Sequence, residues 1–225
     1  MTSDVRTIRI VYVTGNEGKF AEAKHVLANC ATRAKVRILA HRVDADTTEI
    51  QGSTHAITAH KVTEACRHVL VSADVQKNAE VALEGAIDYV LAEDVSLELY
   101  ALGGFPGPYC KPMLEAIAPE GLWNLMSKYA DRRAEVRCTV GMIDMRKVEK
   151  VPTIFEGCIQ GTVVEPAGDV KHGKSSWNSV FQPEGYTSTF GQLQYEEQAK
   201  ISHRHKALEA FCTYILESMD SGNHT

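Results

Sequence analysis

Ile8-Arg9-Ile10-Val11-Tyr12-Val13-Thr14-Gly15-Asn16-Glu17-Gly18-Lys19 is the stretch whose reading decides the fold. The run from Ile8 to Val13, dominated by β-branched and aromatic residues, reads as a buried strand bounded by Gly15. Asn16 can cap a helix over roughly residues 17–29, with Phe20, Ala23, Val26 and Leu27 on one face. Outward from there, Val36 to Ala40 predicts a second strand, and Ser53 or Thr54 caps a helix running to about residue 70. Tyr89 to Ala92 reads as a short apolar strand delivering Glu93 and Asp94 to its C-terminal end. Phe105-Pro106-Gly107-Pro108 is a turn, and a helical stretch follows around Met113 to Tyr129. Val136 to Met145 and Val151 to Val164 alternate like two antiparallel strands around the charged turn Arg146 to Lys150. Residues 166–189, rich in Gly, Pro and Ser, read as largely loop. The last helix keeps Leu208, Phe211, Cys212, Ile215, Leu216 and Met219 at helical spacing, and the polar end from Asp220 to Thr225 frays. Strands and helices in this order make an α/β protein with a mixed sheet, one domain with two lobes, since no linker marks a firm boundary.

At 225 residues the chain can bury a sizeable core. Its formal charge of −5 leaves no footprint for non-specific nucleic-acid binding, so a phosphate-rich ligand needs a local basic site. Cys30, Cys66, Cys110, Cys138, Cys158 and Cys212 are widely spaced with no C-x-x-C pair. That pattern suits neither a zinc site nor a disulfide framework, and points to buried thiols in a reducing compartment. The first residues lack a signal-peptide core and no later run reaches membrane-spanning length, which predicts a cytoplasmic protein without a membrane partner.

Three constellations carry chemistry. Thr14-Gly15-Asn16-Glu17-Gly18-Lys19 places backbone N–H groups and a lysine at a helix N-terminus, where anions bind; the alternative is a plain strand-to-helix turn with an Asn cap. Glu49, Lys61 and Glu93-Asp94 offer two or three carboxylates converging on one cleft, the donor set magnesium takes with water and phosphate oxygens. Taken singly, each carboxylate also reads as a solvated surface group. Ser202-His203-Arg204-His205-Lys206 opens the last helix with positive charge that opposes the helix dipole, an arrangement that an anionic partner explains.

Together these pieces resemble the inosine triphosphate pyrophosphatase family. Val13-Thr14-Gly15-Asn16 with Lys19 is similar to its phosphate-binding opening. Glu93-Asp94 with Leu97, Ala101-Leu102-Gly103-Gly104 and Pro106-Gly107-Pro108-Tyr109 resembles its metal and catalytic segment. Phe155-Glu156-Gly157, Gly161, Phe181-Gln182-Pro183-Glu184-Gly185-Tyr186 and Ser202-His203-Arg204 match its C-terminal half, in family order from about residue 8 to about residue 212. The resemblance implies an elongated mixed β-sheet flanked by helices, in two lobes with an active-site cleft between them. It also implies attack of a magnesium-oriented water (manganese being the substitute ion) on the α-phosphorus of a purine nucleoside triphosphate, by a homodimer. By position, Asp94 and Glu93 are the implied catalytic residues, and Glu49 and Asp94 the implied metal ligands. Thr14, Gly15, Asn16, Glu17, Gly18, Lys19 and Lys61 would bind the phosphates. Ser175, Trp177, Asn178, Ser202, His203 and Arg204 would form the base side.

The sequence departs from that family in places. Val95 stands where a hydroxyl residue follows the catalytic Asp. An inserted segment around Ser72 to Asp88 reads as a surface extension. Ser175 and Asn178 replace an aromatic and an Asp in the base loop, which predicts relaxed or altered base choice, and base stacking on an aromatic is worth ~1–3 kcal/mol. Gln198 stands where a lysine is usual, with Lys200 two positions on. These changes also leave room for a nucleotide-binding protein without catalysis. Gly168 to Ser175 spells a P-loop letter for letter, but Trp177 to Phe181 reads as extended and Pro183 cuts short any helix that a P-loop requires.

Overall fold

A computed structural model describes residues 5–45, 47–168 and 176–221, with side chains described as far as Ser218. The opening strand is β1 (Thr7–Val13), and helix α1 (Glu17–Ala34) follows, capped by Asn16, whose side chain accepts from the Lys19 N–H. The helix runs further than its apolar face required. It stops where Lys35 turns left-handed (φ 55°) and its N–H reaches back to the carbonyls of Ala31 and Thr32. Strand β2 (Arg37–Val43) pairs parallel with β1, and α2 (Thr54–Val71) begins on its Ser53 cap. Residues 72–88, expected as an inserted surface extension, are structured and partly buried. They hold a helix, α3 (Ala73–Ala82), and bury Ala79, Leu83 and Ile87 in the core shared with α2.

Strand β3 (Tyr89–Leu99) corrects the expected short strand. Its second half continues because Leu97 and Leu99 keep the apolar alternation, and because β4 (Pro106–Gly107) pairs against it. Glu93 and Asp94 therefore lie mid-strand rather than at a strand end. Helix α4 (Cys110–Met126) is kinked at Ala118 (φ 57°), the residue before Pro119. Strands β5 (Arg133–Asp144) and β6 (Thr153–Val163) follow. Then β7 (Phe181–Pro183) pairs antiparallel with β6 inside the stretch expected as loop. Two helices end the chain, α5 (Tyr195–Ile201) and α6 (His203–Ser221). The strands form one mixed sheet in the order β2-β1-β3-β5-β6-β7, with β4 on β3. The frayed end expected from Asp220 is helical as far as Ser221, and residues 222–225 lie outside those described.

The chain divides into two compact units. The first is Met1–Asp94, Thr139–Glu156 and Ala207–Thr225, and the second is Val95–Cys138 and Gly157–Lys206. In the first, Val11, Val13, Val90 and Ala92 face α2 and α3, while on the other sheet face Tyr12 meets Phe20 and Tyr89 meets Phe211. In the second, Leu97, Leu99, Val136, Ile159 and Phe181 pack with Leu114, Leu122 and Trp177. Among the described residues no helix is long and apolar enough to cross a membrane. All six cysteines are free thiols, five of them buried.

Gly141 of β5 decides how closely α2 lies on the sheet. A Cβ there would sit 2.8 Å from Val62 Cγ1 and 3.1 Å from the Thr58 carbonyl oxygen. The Gly141→Ala variant is expected to push α2 outward and lose ~1–3 kcal/mol in urea denaturation, with weaker catalysis because Lys61 moves with the helix. Wild-type stability in that variant would show that the contact is slack.

Candidate active site

The segment from Thr14 to Lys19 is built as its composition suggests. The Thr14 N–H bonds the Val43 carbonyl (3.0 Å), and Thr14 Oγ1 accepts from the Asn16 N–H (3.2 Å). Gly18 has a local reason: a Cβ would come within 3.3 Å of Asn16 Oδ1, the oxygen that caps the helix. Gly15 similarly leaves room for Asp44, whose Oδ1 would lie 3.2 Å from a Cβ. Gly15, Asn16, Glu17 and Gly18 are all exposed, so the first N–H groups of α1 lie at the surface rather than in the core. Arg42, which nothing in the sequence singled out, braces this turn from β2. Its guanidinium donates to the Thr14 carbonyl at 3.1 Å and pairs with Asp44 and Glu17, each at 3.3 Å.

The acidic residues do not form one cluster. Consecutive strand residues point to opposite sheet faces, so Asp94 turns toward α2 while Glu93 turns toward β1 and α1. Asp94 Oδ1 lies 2.6 Å from Lys61 Nζ, and that ammonium also reaches Glu49 Oε1 at 3.0 Å. Glu93 accepts from the Tyr12 hydroxyl on one oxygen and pairs with Lys19 Nζ on the other, at 3.1 Å. Lys19 still acts electrostatically on Asp94, so the two groups share one field. Two buried threonines seat the Asp94 side. The hydroxyls of Thr58 and Thr139 are 2.6 Å apart, and Thr139 Oγ1 donates to the Asp94 carbonyl at 3.4 Å. Both read as ordinary helix and strand residues, and no local signal marked them.

Burial lifts the Asp94 pKa above the ordinary carboxylate range, against the pull of Lys61 and Lys19. Burial works against the Lys61 ammonium too, but the charges and hydrogen bonds of Asp94 and Glu49 outweigh it and raise its pKa. Asp94 Oδ2 is buried and has no hydrogen-bond partner among the described residues. An uncompensated buried oxygen is costly, and a hard cation or a water would relieve it. Among the described residues no three His, Cys, Asp or Glu side chains are grouped to hold an ion by themselves. Glu49 and Asp94, which share Lys61, are the two carboxylates that could serve a hard cation, with water and phosphate oxygens completing its shell. Glu49, Glu93 and Asp94 set three negative charges against the two of Lys19 and Lys61. A divalent ion reverses that sign, which a polyphosphate needs.

The residues expected on the base side lie in the second unit. Ser202 caps α6, its hydroxyl accepting from the His205 N–H at 3.2 Å. His203 and Arg204 are both buried at the start of that helix. Trp177 is only 8% exposed. Its ring meets His203 at 5.4 Å, Phe181 at 5.5 Å and Phe190 at 5.2 Å, so it is a wall supporting His203 and not an open stacking platform. The Asn178 N–H bonds Ser176 Oγ, and its carbonyl accepts from the Gly191 N–H. Gln198 spends its amide on the carbonyls of Phe190 (2.7 Å) and Leu193 (3.2 Å), a loop clip. The Val95 side chain packs on the apolar core. Ser175 lies outside the described residues, as does the P-loop-like stretch from Asp169 onward. The next residues, Ser176 to Pro183, form turn and strand, so the helix a P-loop needs is absent there.

The sequence model of the Ham1 family matches residues 10–214. The inosine triphosphate pyrophosphatase of Yarrowia lipolytica is 32% identical over 211 residues, covering 94% of this chain and 97% of its own. That of Schizosaccharomyces pombe is 34% identical over 198 residues, covering 88% and 90%. Among solved structures, the Staphylococcus aureus Ham1 protein superposes with a TM-score of 0.65 at 22% identity, over 93% of this chain and all of its own (100%). A HAM1 protein from Coxiella burnetii gives 0.62 at 21%, over 93% and 99%. Both structures share the mixed-sheet α/β fold.

Proposed function

The chain belongs to the Ham1 family, and from that premise we propose that it hydrolyses the triphosphates of deaminated purine nucleosides, ITP, XTP and dITP, to the monophosphate and pyrophosphate. The observation that carries the reading is the Glu49–Lys61–Asp94 row with its uncommitted Asp94 oxygen. It sits in the same field as Lys19 at the capped start of α1.

In this reading the N–H groups of residues 15–19 and the Lys19 and Lys61 ammoniums take the triphosphate. Asp94 orients the water that attacks the α-phosphorus, and the bond to the leaving pyrophosphate breaks. Glu49 and Asp94 would hold magnesium, or manganese in its place, and the ion would supply positive charge that offsets the phosphates. His203 and Arg204 read the 6-oxo edge of the purine, held by the Ser202 cap and the Trp177 wall. The working form is a cytoplasmic homodimer, by resemblance to the family.

The test is pyrophosphate release from ITP, XTP, dITP, ATP and GTP with magnesium and with chelator. Release from ITP and XTP that chelator abolishes is the expected result. A rate on ATP equal to that on ITP makes the Ser175 and Asn178 loop a relaxed reader of the base, because an amide donates as well as accepts. No release from any of the five, with binding retained, would leave a nucleotide-binding protein without catalysis.

A further inference from the structure

We propose that Tyr12 is a positioning residue for the phosphate site: its buried hydroxyl fixes the Glu93 carboxylate, which in turn holds the Lys19 ammonium where a polyphosphate arrives. The inference rests on the pyrophosphatase reading and divides the labour between its two adjacent acidic residues.

Tyr12 is fully buried in β1, its ring packed on Phe20 at a centroid distance of 6.0 Å. Its hydroxyl donates to Glu93 Oε2. The other oxygen, Oε1, lies 3.1 Å from Lys19 Nζ, with the Glu93 side chain 1% exposed and that of Lys19 30% exposed. Glu93 is thus engaged on both oxygens, by a neutral donor from the interior and by a cation from the solvent side. Asp94, on the opposite sheet face, keeps Oδ2 without a hydrogen-bond partner among the described residues. A carboxylate clamped in this way is an anchor, and the oxygen open for chemistry belongs to its neighbour.

Lys19 gains most from the arrangement. The Asn16 cap sets its backbone, its N–H lying 3.0 Å from Asn16 Oδ1, and Glu93 sets its far end. A lysine ordered in advance does not have to be immobilised when phosphate binds. Without the tyrosine hydroxyl, Glu93 has one fewer donor to fix its orientation, and the ammonium it carries spreads over more positions.

Two full-chain variants test this, Tyr12→Phe and Glu93→Gln, each made also in a Lys19→Met background. Two quantities are read: KM and kcat for ITP with magnesium, and the calorimetric Kd for inorganic tripolyphosphate with magnesium. Tyr12→Phe should raise KM and Kd together by about 3- to 10-fold, with kcat within about 2-fold. Glu93→Gln should do the same, whereas a base would lose kcat. In the Lys19→Met background neither variant should weaken tripolyphosphate binding further. A purely structural tyrosine would lower stability yet leave Kd unchanged, and that result overturns the proposal. So does a Kd effect of equal size in the Lys19→Met background, or a fall in kcat at constant KM. If the wild type binds tripolyphosphate but releases nothing from ITP, the catalytic reading fails and Kd alone decides the role of Tyr12. If the wild type binds no tripolyphosphate, both fall.

Discussion

Asp94→Asn is expected to release pyrophosphate from ITP about 10²- to 10⁴-fold more slowly than the wild type while melting close to the wild-type temperature. The rate falls because the substitution removes a carboxylate that combines a buried, uncommitted oxygen with a lysine partner. An amide holds a cation weakly and accepts no proton from water. Stability survives for a separate reason. Burial raises the pKa of Asp94, which means that the folded state disfavours its charge, and the isosteric amide keeps an acceptor for Lys61. Pyrophosphate release and a calorimetric melt, made on the same preparation, check both halves. Activity within tenfold of the wild type would move the chemistry elsewhere, and a collapse in stability would make Asp94 a fold residue first.

Phe211→Ala is expected to have the largest effect on the fold, a loss of ~3–5 kcal/mol in urea unfolding. Phe211 is fully buried on α6, and its ring stands edge-on to Tyr89 of β3 at 5.8 Å and to Phe155 of β6 at 5.7 Å. Truncation leaves a cavity under two strands, and aromatic pairs of this geometry add to the burial term. Because β3 also carries Glu93 and Asp94, catalysis should fall at denaturant concentrations where the wild type is intact. A loss below about 1 kcal/mol would mean that the site collapses around the missing ring.

The two results separate what each part of the molecule does. The Glu49–Lys61–Asp94 row is expected to tolerate an isosteric change in stability and not in rate. The aromatic cluster on the opposite face of the sheet packs against β3, the strand that carries Asp94.

Much of this is legible in the sequence. The strand from Ile8, the Asn16 cap and the Ser53 cap are local signals, each set by neighbours within a few residues, and all are present. The same holds for the apolar face of the last helix and for the ordered series of motifs that pointed to the family. Expectation and structure part where a distant partner decides. Strand β3 outruns its apolar core because β4, some ten residues on, pairs with Leu97 and Glu98. The segment after Ser72 reads as a surface extension, yet Ala79 and Leu83 are buried against a core built from β1 and α2.

What the sequence determined by itself is therefore the class of fold, the starts of α1, α2 and α6, and the inventory of charged groups from which the proposed site is drawn. Only the tertiary structure decided how those groups are partnered. Strand alternation sends Glu93 and Asp94 to opposite faces, and residues far away in the chain then choose their roles: Tyr12 and Lys19 clamp the first, while Lys61 and the Thr58–Thr139 pair seat the second. Trp177 likewise became a wall for His203 because Phe181 and Phe190 close around it. Hydrogen bonds and burial depend on proximity in space, and neither separation along the chain nor residue type alone encodes it.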